Sequence, residues 1–87
     1  MVKIRIYGIL RVYIGSSEVE VDAKNIREAC EKICEIFGNE IRNLIFDKNG
    51  NIYPSILIFK RNERVTSTDI LVDPDTIIHI IPAIEGG

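Results

Sequence analysis

Residues 25–38 read NIREACEKICEIFG, and this segment constrains the fold more than any other part of the sequence. Its apolar side chains recur at intervals of three and four residues, a spacing that gathers them on one stripe of an amphipathic helix. They are Ile26, Ala29, Cys30, Ile33, Cys34 and Phe37. Asn25 is a typical N-cap, Glu28 is spaced to complete a capping box, and Gly38 is a typical stop. The pattern predicts one main helix over residues 25–37.

The two cysteines of the chain, Cys30 and Cys34, lie four residues apart on this stripe. A helix holds residues at that spacing in a poor geometry for a disulfide. A metal site would need further thiol or imidazole ligands, and His79 is the single histidine of the sequence. Free cysteine is among the residue types most often buried. The pattern therefore favours two small core residues and no metal site.

Strand patterns precede the helix. Residues 2–7 read VKIRIY and alternate strictly between apolar and polar or aromatic side chains, and residues 18–21 read EVEV with the same period of two. Between two strand-like runs, residues 15–17 form a turn cluster, GSS. Residues 2–21 therefore predict an N-terminal β-hairpin.

Two further strands are predicted after the helix. One covers residues 55–60 and follows Pro54, and the other covers residues 76–81 and is stopped by Pro82; both are rich in β-branched side chains. The sequence DKNGN at residues 47–51 is a strong turn signal, and residues 61–64 are predicted as a polar turn. For the rest of residues 39–53, a short helix and the start of a strand both remain open.

The predicted order of a hairpin, a helix and then strands indicates an α+β fold. A lone helix must bury its apolar stripe, and a sheet of this size offers one face for it. We expect a β-grasp (ubiquitin-like) fold, a mixed twisted sheet packed on one main helix, with the first and last strands as parallel central neighbours. Residues 1–82 would form this domain, and residues 83–87 a flexible reactive C-terminal tail.

Composition excludes several classes of function. The chain has 87 residues, 28% of them charged, and a net charge of −2 without a basic tract, so we expect neither nucleic acid nor membrane as a partner. No apolar run approaches the ~18 residues of a membrane span, and a cytoplasmic location is expected. There is no phosphate-binding glycine motif, and His79 has no partners in a recognisable triad order. We therefore predict a protein that is not an enzyme and binds no cofactor itself.

Alternation also predicts what the helix leaves uncovered. If Ile4 and Ile6 face the helix, Tyr7 lies on the opposite, open face of the sheet. On the last strand, Ile77, His79 and Ile81 would point the same way, joined by either Leu57 and Phe59 or their neighbours Ile56 and Ile58. His79 is then a partly exposed strand residue. An exposed apolar patch of this kind marks a surface for a partner protein.

The sequence ends on Gly86-Gly87. Two residues without Cβ atoms can lie extended in a channel too narrow for other side chains. Crowding at the terminal carboxylate is also minimal, so this group can itself be a reactant. The alternative is an ordinary frayed end.

Residues 71–87, LVDPDTIIHIIPAIEGG, resemble the C-terminal signature of the ubiquitin-like sulfur carriers, and are closest to the small subunit of molybdopterin synthase. In that family a leucine and an acidic turn lead into an apolar strand, a proline and a terminal Gly-Gly. The order of elements and the length agree with the family over nearly the whole chain.

The resemblance implies a carrier cycle. An E1-like enzyme, using ATP, adenylates Gly87, and a sulfur nucleophile converts the adenylate to a thiocarboxylate. The tail then delivers sulfur within the large subunit of molybdopterin synthase, for molybdenum or tungsten cofactor biosynthesis. Gly86, Glu85 and Ile84 would thread the tail into these partners. The residues implied in docking are Tyr7, Phe59, Val65 and Ile81.

Three alternatives remain open. The sulfur could go to tRNA, thiamine or cysteine pathways instead. Gly87 could form isopeptide bonds with lysines, as in a ubiquitin-like protein modifier. Finally, the domain could be a β-grasp interaction module with an inert tail.

Overall fold

Helix α2 (Ile26–Phe37) packs its apolar stripe against one face of a five-stranded sheet. The computed structural model describes residues 1–83. Before α2 come β1 (Val2–Ile6), α1 (Gly8–Ile14) and β2 (Glu18–Val21); after it come α3 (Asn39–Ile45), β3 (Ile56–Lys60), β4 (Glu63–Val65) and β5 (Ile77–Pro82). The strand order is β2-β1-β5-β3-β4. Only β1 and β5 pair in parallel among these strands, and they are neighbours inside the sheet, which confirms the predicted β-grasp fold.

The ends of α2 follow the local chemistry that its sequence predicts. The side-chain oxygen of Asn25 accepts a hydrogen bond from the Glu28 N–H at 2.8 Å. The Glu28 carboxylate accepts from the N–H of Lys24 at 2.6 Å, one residue earlier than a standard capping box. At the other end Gly38 has φ +100°, a conformation that favours glycine, and its N–H closes the last turn on the Cys34 carbonyl.

The core lies between α2 and the inner face of the sheet. Ile4 and Ile6 of β1 and Ile78 and Ile80 of β5 are buried there, as alternation predicts. Each isoleucine removed from water in this way stabilises the fold by about 1.5–3 kcal/mol. On the helix side the buried residues are Ile26, Ala29, Cys30, Ile33 and Cys34. The sheet is therefore stable only when α2 covers its inner face.

The prediction that both cysteines are small core residues is confirmed. Cys30 is fully buried and Cys34 nearly so, and both are free thiols. Burial raises the pKa of Cys30 to about 12 and that of Cys34 to about 11. Both side chains are therefore neutral thiols at physiological pH.

The predicted N-terminal hairpin is correct in its pairing and wrong in its connection. Strands β1 and β2 are antiparallel, with Val2 opposite Val21. The chain between them forms helix α1, which the strand-like reading of this segment misses. Leu10 and Ile14 are four residues apart and both are buried, so they anchor one side of α1 on the core.

Residues 39–53 form a helix followed by a turn. After α3, Phe46 pairs with Ile52 in an isolated bridge around the predicted turn. The Asp47 carboxylate accepts hydrogen bonds from the N–H groups of Asn49 and Asn51. The helical alternative is therefore the correct one for residues 39–45.

Two other boundaries differ from the predictions. Residues 61–64 are not all turn, because Glu63–Val65 forms β4, and only Arg61 and Asn62 reverse the chain. Strand β5 includes Pro82, which lies opposite Ile56 of β3. A proline is tolerated at this position because it ends the strand, where a missing N–H breaks no further ladder.

Candidate functional site

The open face of the sheet carries a continuous apolar surface. Its members come from β3, from β5 and from the residue directly after β1. They are half-buried and point away from α2: Tyr7, Leu57, Phe59, Ile77, His79 and Ile81. Leu57 lies opposite Ile81, and Phe59 lies opposite His79. Of the two registers left open for β3, the structure has Leu57 and Phe59 outward and Ile56 and Ile58 buried. We call this set the open-face patch.

His79 lies at the centre of the patch and is held by Tyr7. The Tyr7 hydroxyl is 2.9 Å from Nδ1 of His79, and the two ring centroids are 5.8 Å apart. When the imidazole is neutral with its proton on Nε2, the hydroxyl donates to Nδ1. His79 is the partly exposed strand residue that the sequence predicts. The hydrogen bond to Tyr7 orients the two rings relative to each other on the patch.

Val65 does not belong to the open-face patch. It lies opposite Ile58 on the neighbouring strand, and directly opposed residues of an antiparallel pair share a face. Ile58 is buried, and Val65 accordingly packs against the core from the helix side. The open-face position next to Phe59 is occupied by Arg64 instead. The implied docking residues therefore separate into Tyr7, Phe59 and Ile81 on one face and Val65 on the other.

Charged side chains border the patch along β1 and β2. The Glu18 carboxylate lies 3.6 Å from Nζ of Lys3 and 3.5 Å from Nε of Arg5. All three side chains are partly exposed to water, so each pair stabilises the fold by at most about 1 kcal/mol. Their arrangement matters more for which partner can approach this edge.

The end of β5 brings the chain out beside the patch. The Ala83 N–H donates to the Ser55 carbonyl at 2.6 Å, which fixes the chain one residue beyond Pro82. On the other side, a β-carbon on residue 8 would lie 3.2 Å from Cγ of Pro82, and Gly8 also has φ +63°. Glycine is thus required where α1 begins. The predicted tail residues Ile84, Glu85, Gly86 and Gly87 lie outside the described residues.

The acidic turn before β5 is a hydrogen-bonded unit. The Asp73 carboxylate accepts from the Thr76 hydroxyl at 2.9 Å and from the Asp75 N–H at 3.0 Å. These bonds favour the ionised form and lower the pKa of Asp73, the bond from Thr76 being the larger cause. Thr76 is completely buried, and its hydroxyl also accepts from the Asp73 N–H. This turn sets where β5 starts.

Neither a metal site nor a membrane-spanning helix is found within residues 1–83. No group of three or more histidine, cysteine, aspartate or glutamate side chains is placed to hold an ion there. The helices in this part of the chain lack the length and the apolar character that crossing a membrane requires.

A cleft at the edge of the open-face patch was not predicted from the sequence. Arg11 of α1 and Arg5 of β1 line one cleft together with Tyr7. If residues 8–14 formed a strand, as the sequence pattern indicates, Arg11 would not be expected to lie near Arg5. The available signal was the spacing of Leu10 and Ile14, which suits one helical turn.

No family model and no curated protein sequence matches the chain. Solved structures do match it over almost their full length. Small archaeal modifier protein 1 (SAMP1) from Methanosarcina acetivorans superposes with a TM-score of 0.89 at 19% identity, covering 99% of this chain and 95% of its own. A chain of the BexX/CysO complex from Amycolatopsis orientalis gives 0.82 at 21% identity, with 100% of both chains covered.

A third structure is that of a protein assigned provisionally as molybdopterin converting factor, subunit 1, from Pyrococcus furiosus. It gives a TM-score of 0.76 at 18% identity and covers 95% of this chain and 97% of its own. These neighbours fall within the ubiquitin-like family that the sequence resembles. At such identities the likeness establishes the β-grasp fold.

Proposed function

We propose that this protein is a ubiquitin-like sulfur carrier that donates sulfur in molybdopterin biosynthesis. The observation that carries the proposal is the course of β5. This strand runs through the interior of the sheet, places His79 and Ile81 on the open-face patch, and ends at Pro82. Gly87 is the fifth residue after Pro82. A partner that covers the patch is therefore within reach of the terminal carboxylate.

The chemistry proceeds in two steps on Gly87. Its carboxylate attacks the α-phosphate of an ATP held by an E1-like adenylating enzyme, so that an acyl-adenylate forms and pyrophosphate leaves. A hydrosulfide ion supplied by the partner then attacks the acyl carbon, AMP leaves, and the new thioacid loses its proton. The resulting thiocarboxylate is the donor. Catalytic groups belong to the partners, and this chain is a co-substrate and not an enzyme.

The recipient that we propose is a pterin precursor bound by the large subunit of molybdopterin synthase. The resemblance of residues 71–87 to the small subunit supports this choice, as does the structural likeness to the Pyrococcus furiosus protein. Tyr7, Phe59 and Ile81 would dock on the large subunit, while Ile84, Glu85 and Gly86 enter its active site. Val65 is left out of this surface because it faces the core.

Removing Gly86-Gly87 tests the proposal. The truncated chain should lose ATP–pyrophosphate exchange with the adenylating enzyme of the same organism, while its thermal unfolding stays unchanged. An Asn49→Ala variant in the exposed 47–51 turn is the control, because it leaves the whole tail intact, and it should still support exchange. Exchange by the truncated chain would contradict the carrier function.

A second candidate function is that of a protein modifier. It is favoured by the name of the Methanosarcina acetivorans neighbour, which is a small archaeal modifier protein. Intact-mass analysis of the protein from its own host separates the two. One oxygen replaced by sulfur supports the carrier, whereas peptides with Gly87 linked to a lysine support the modifier.

A further inference from the structure

A cleft opens between β1 and α1, at the border of the open-face patch. Its volume is about 350 Å³. Two arginines contribute to its lining, which consists of Arg5, Ile6, Tyr7, Arg11, Ser17 and Glu18. The cleft is shallow and polar, so it suits a single side chain from another molecule better than a buried small ligand.

The cleft carries an excess of positive charge. Within residues 1–83, Glu18 is the one carboxylate that lines the cleft, and that group is already shared between Arg5 and Lys3. Arg11 is exposed and has no ion-pair partner within residues 1–83. This surplus of one cation stands out in a chain whose net charge is −2. A guanidinium offers two parallel N–H groups, which match the two oxygens of a carboxylate.

The cleft is continuous with the surface that the proposed function requires. Tyr7 lines the cleft and also bonds His79 at the centre of the open-face patch. The next residue, Gly8, lies against Pro82 at the end of β5. A protein that covers the patch and receives the tail therefore also reaches Arg11.

We propose that this cleft binds an aspartate or glutamate side chain of the adenylating enzyme, with Arg11 as its main contact. This inference rests on the proposed carrier function. One negative charge matches the surplus of one cation, and Glu18 would repel a group of higher charge such as a phosphate dianion. The carboxylate pair then fixes the orientation of the carrier while the open-face patch supplies the apolar contact area.

Steady-state kinetics of ATP–pyrophosphate exchange test the inference. In Arg11→Glu the KM for the carrier should rise about tenfold or more with kcat little changed, because a charge at the rim of an interface acts on association. The salt dependence of kcat/KM should also become weaker. Arg11→Lys should give a smaller increase in KM, since it keeps the charge and loses the two-pronged geometry. Lys48→Glu, the same charge change in the exposed 47–51 turn, should leave KM unaltered.

Two controls separate the inference from its rivals. Arg11 lies in the last turn of α1, where a positive charge interacts favourably with the helix dipole and so stabilises the helix. Equal thermal unfolding temperatures of Arg11→Glu and the parent would exclude this structural role. An increase in KM that disappears when an acidic residue of the enzyme is changed to arginine would identify the partner group. If Arg11→Glu has the KM of the parent, or if inorganic phosphate alone shifts the Arg11 NMR signals of the free protein, the inference is wrong. The carrier function would survive either result, because it depends on exchange by the parent chain.

Discussion

A phenol and an imidazole form the one polar contact at the centre of the otherwise apolar open-face patch. Tyr7 and His79 are 72 positions apart in the sequence, and their hydrogen bond joins the residue that follows β1 to the parallel strand β5. If a partner covers the patch, water can no longer satisfy these groups, and the bond between them avoids that cost. The pair therefore offers a partner a surface whose rings are already oriented, which lowers the entropy lost on binding.

Tyr7→Phe removes the hydroxyl and keeps the ring. We expect the free energy of unfolding in urea to fall by about 0.5–1.5 kcal/mol, the usual contribution of one hydrogen bond. Tyr13→Phe is the matched control, because Tyr13 is 51% exposed and lies outside the patch. Equal stability losses in the two variants would show that the hydroxyl of Tyr7 contributes nothing specific.

Asp73 predicts a pH dependence of stability. Its pKa in the folded protein lies below the ordinary value of 3.8, because the Thr76 hydroxyl and the Asp75 N–H both bind the ionised carboxylate. A pKa that is lower in the folded than in the unfolded state stabilises the fold at pH values above the unfolded value. This contribution to stability is lost as the pH falls from the pKa of the unfolded state through the lower pKa of the folded state.

We therefore expect Asp73→Asn to lower the free energy of unfolding at neutral pH and the difference from the parent to shrink below pH 3.8. Urea denaturation at a series of pH values measures this. Asp69→Asn is the control, since the Asp69 carboxylate accepts no hydrogen bond within residues 1–83. A difference between Asp73→Asn and the parent that stays constant down to the lowest pH would contradict the assignment.

Among the elements, those whose apolar residues follow a single period were predictable. Helix α2 and strands β1 and β5 each show a pattern from which their inward and outward faces were predicted. Strand β3 was predicted as a strand, but its faces stayed open because residues 56–59 are all apolar. Helix α1 could not be predicted in this way, because its sequence GILRVYI is rich in β-branched and aromatic residues, which favour strands. Two buried contacts, at Leu10 and Ile14, override that local preference once the core forms.

The position of Val65 could not be obtained from periodicity either. Strand β4 has three residues, too few to define an alternation, and the face of Val65 depends on its register against Ile58. Register across a hairpin is set by the turn. Here Arg61 has φ +58°, a conformation that could not be predicted from the sequence of the turn because arginine rarely adopts it. The short strand thus receives its orientation from β3.

A third prediction concerns Ile81 of strand β5 and its role in binding a partner. Ile81→Glu should leave the fold intact, because Ile81 is half-buried on the open face, and it should weaken binding to the large synthase subunit. Burying a charge against an apolar partner surface is unfavourable, so we expect a loss of tenfold or more in affinity, about 1.4 kcal/mol. Leu71→Glu is the control, because Leu71 is 70% exposed and lies before β5. Calorimetry that gives the same affinity for Ile81→Glu and the parent would exclude the open-face patch as the docking surface.

For the whole molecule, the two thiols lie on the opposite side of the sheet from the open-face patch. Cys30 and Cys34 belong to the buried side of α2, and burial raises their pKa values to about 12 and about 11. Thiolates are the reactive form, so neither side chain is a competent nucleophile at neutral pH. In the proposed function, the domain would present a docking surface and the start of the tail to its partners.

Replacing both thiols tests this separation. In a Cys30→Ala, Cys34→Ala double variant, we expect the free energy of unfolding to fall by about 1–3 kcal/mol in total, because two buried sulfur atoms are lost from the core. ATP–pyrophosphate exchange and the thiocarboxylate mass should persist. The truncation that removes Gly86-Gly87 is the opposite case, since it keeps both thiols and should lose both activities at unchanged stability. If the folded double variant no longer acquires sulfur, a core cysteine takes part in the transfer, and the assignment of that chemistry to Gly87 alone is wrong.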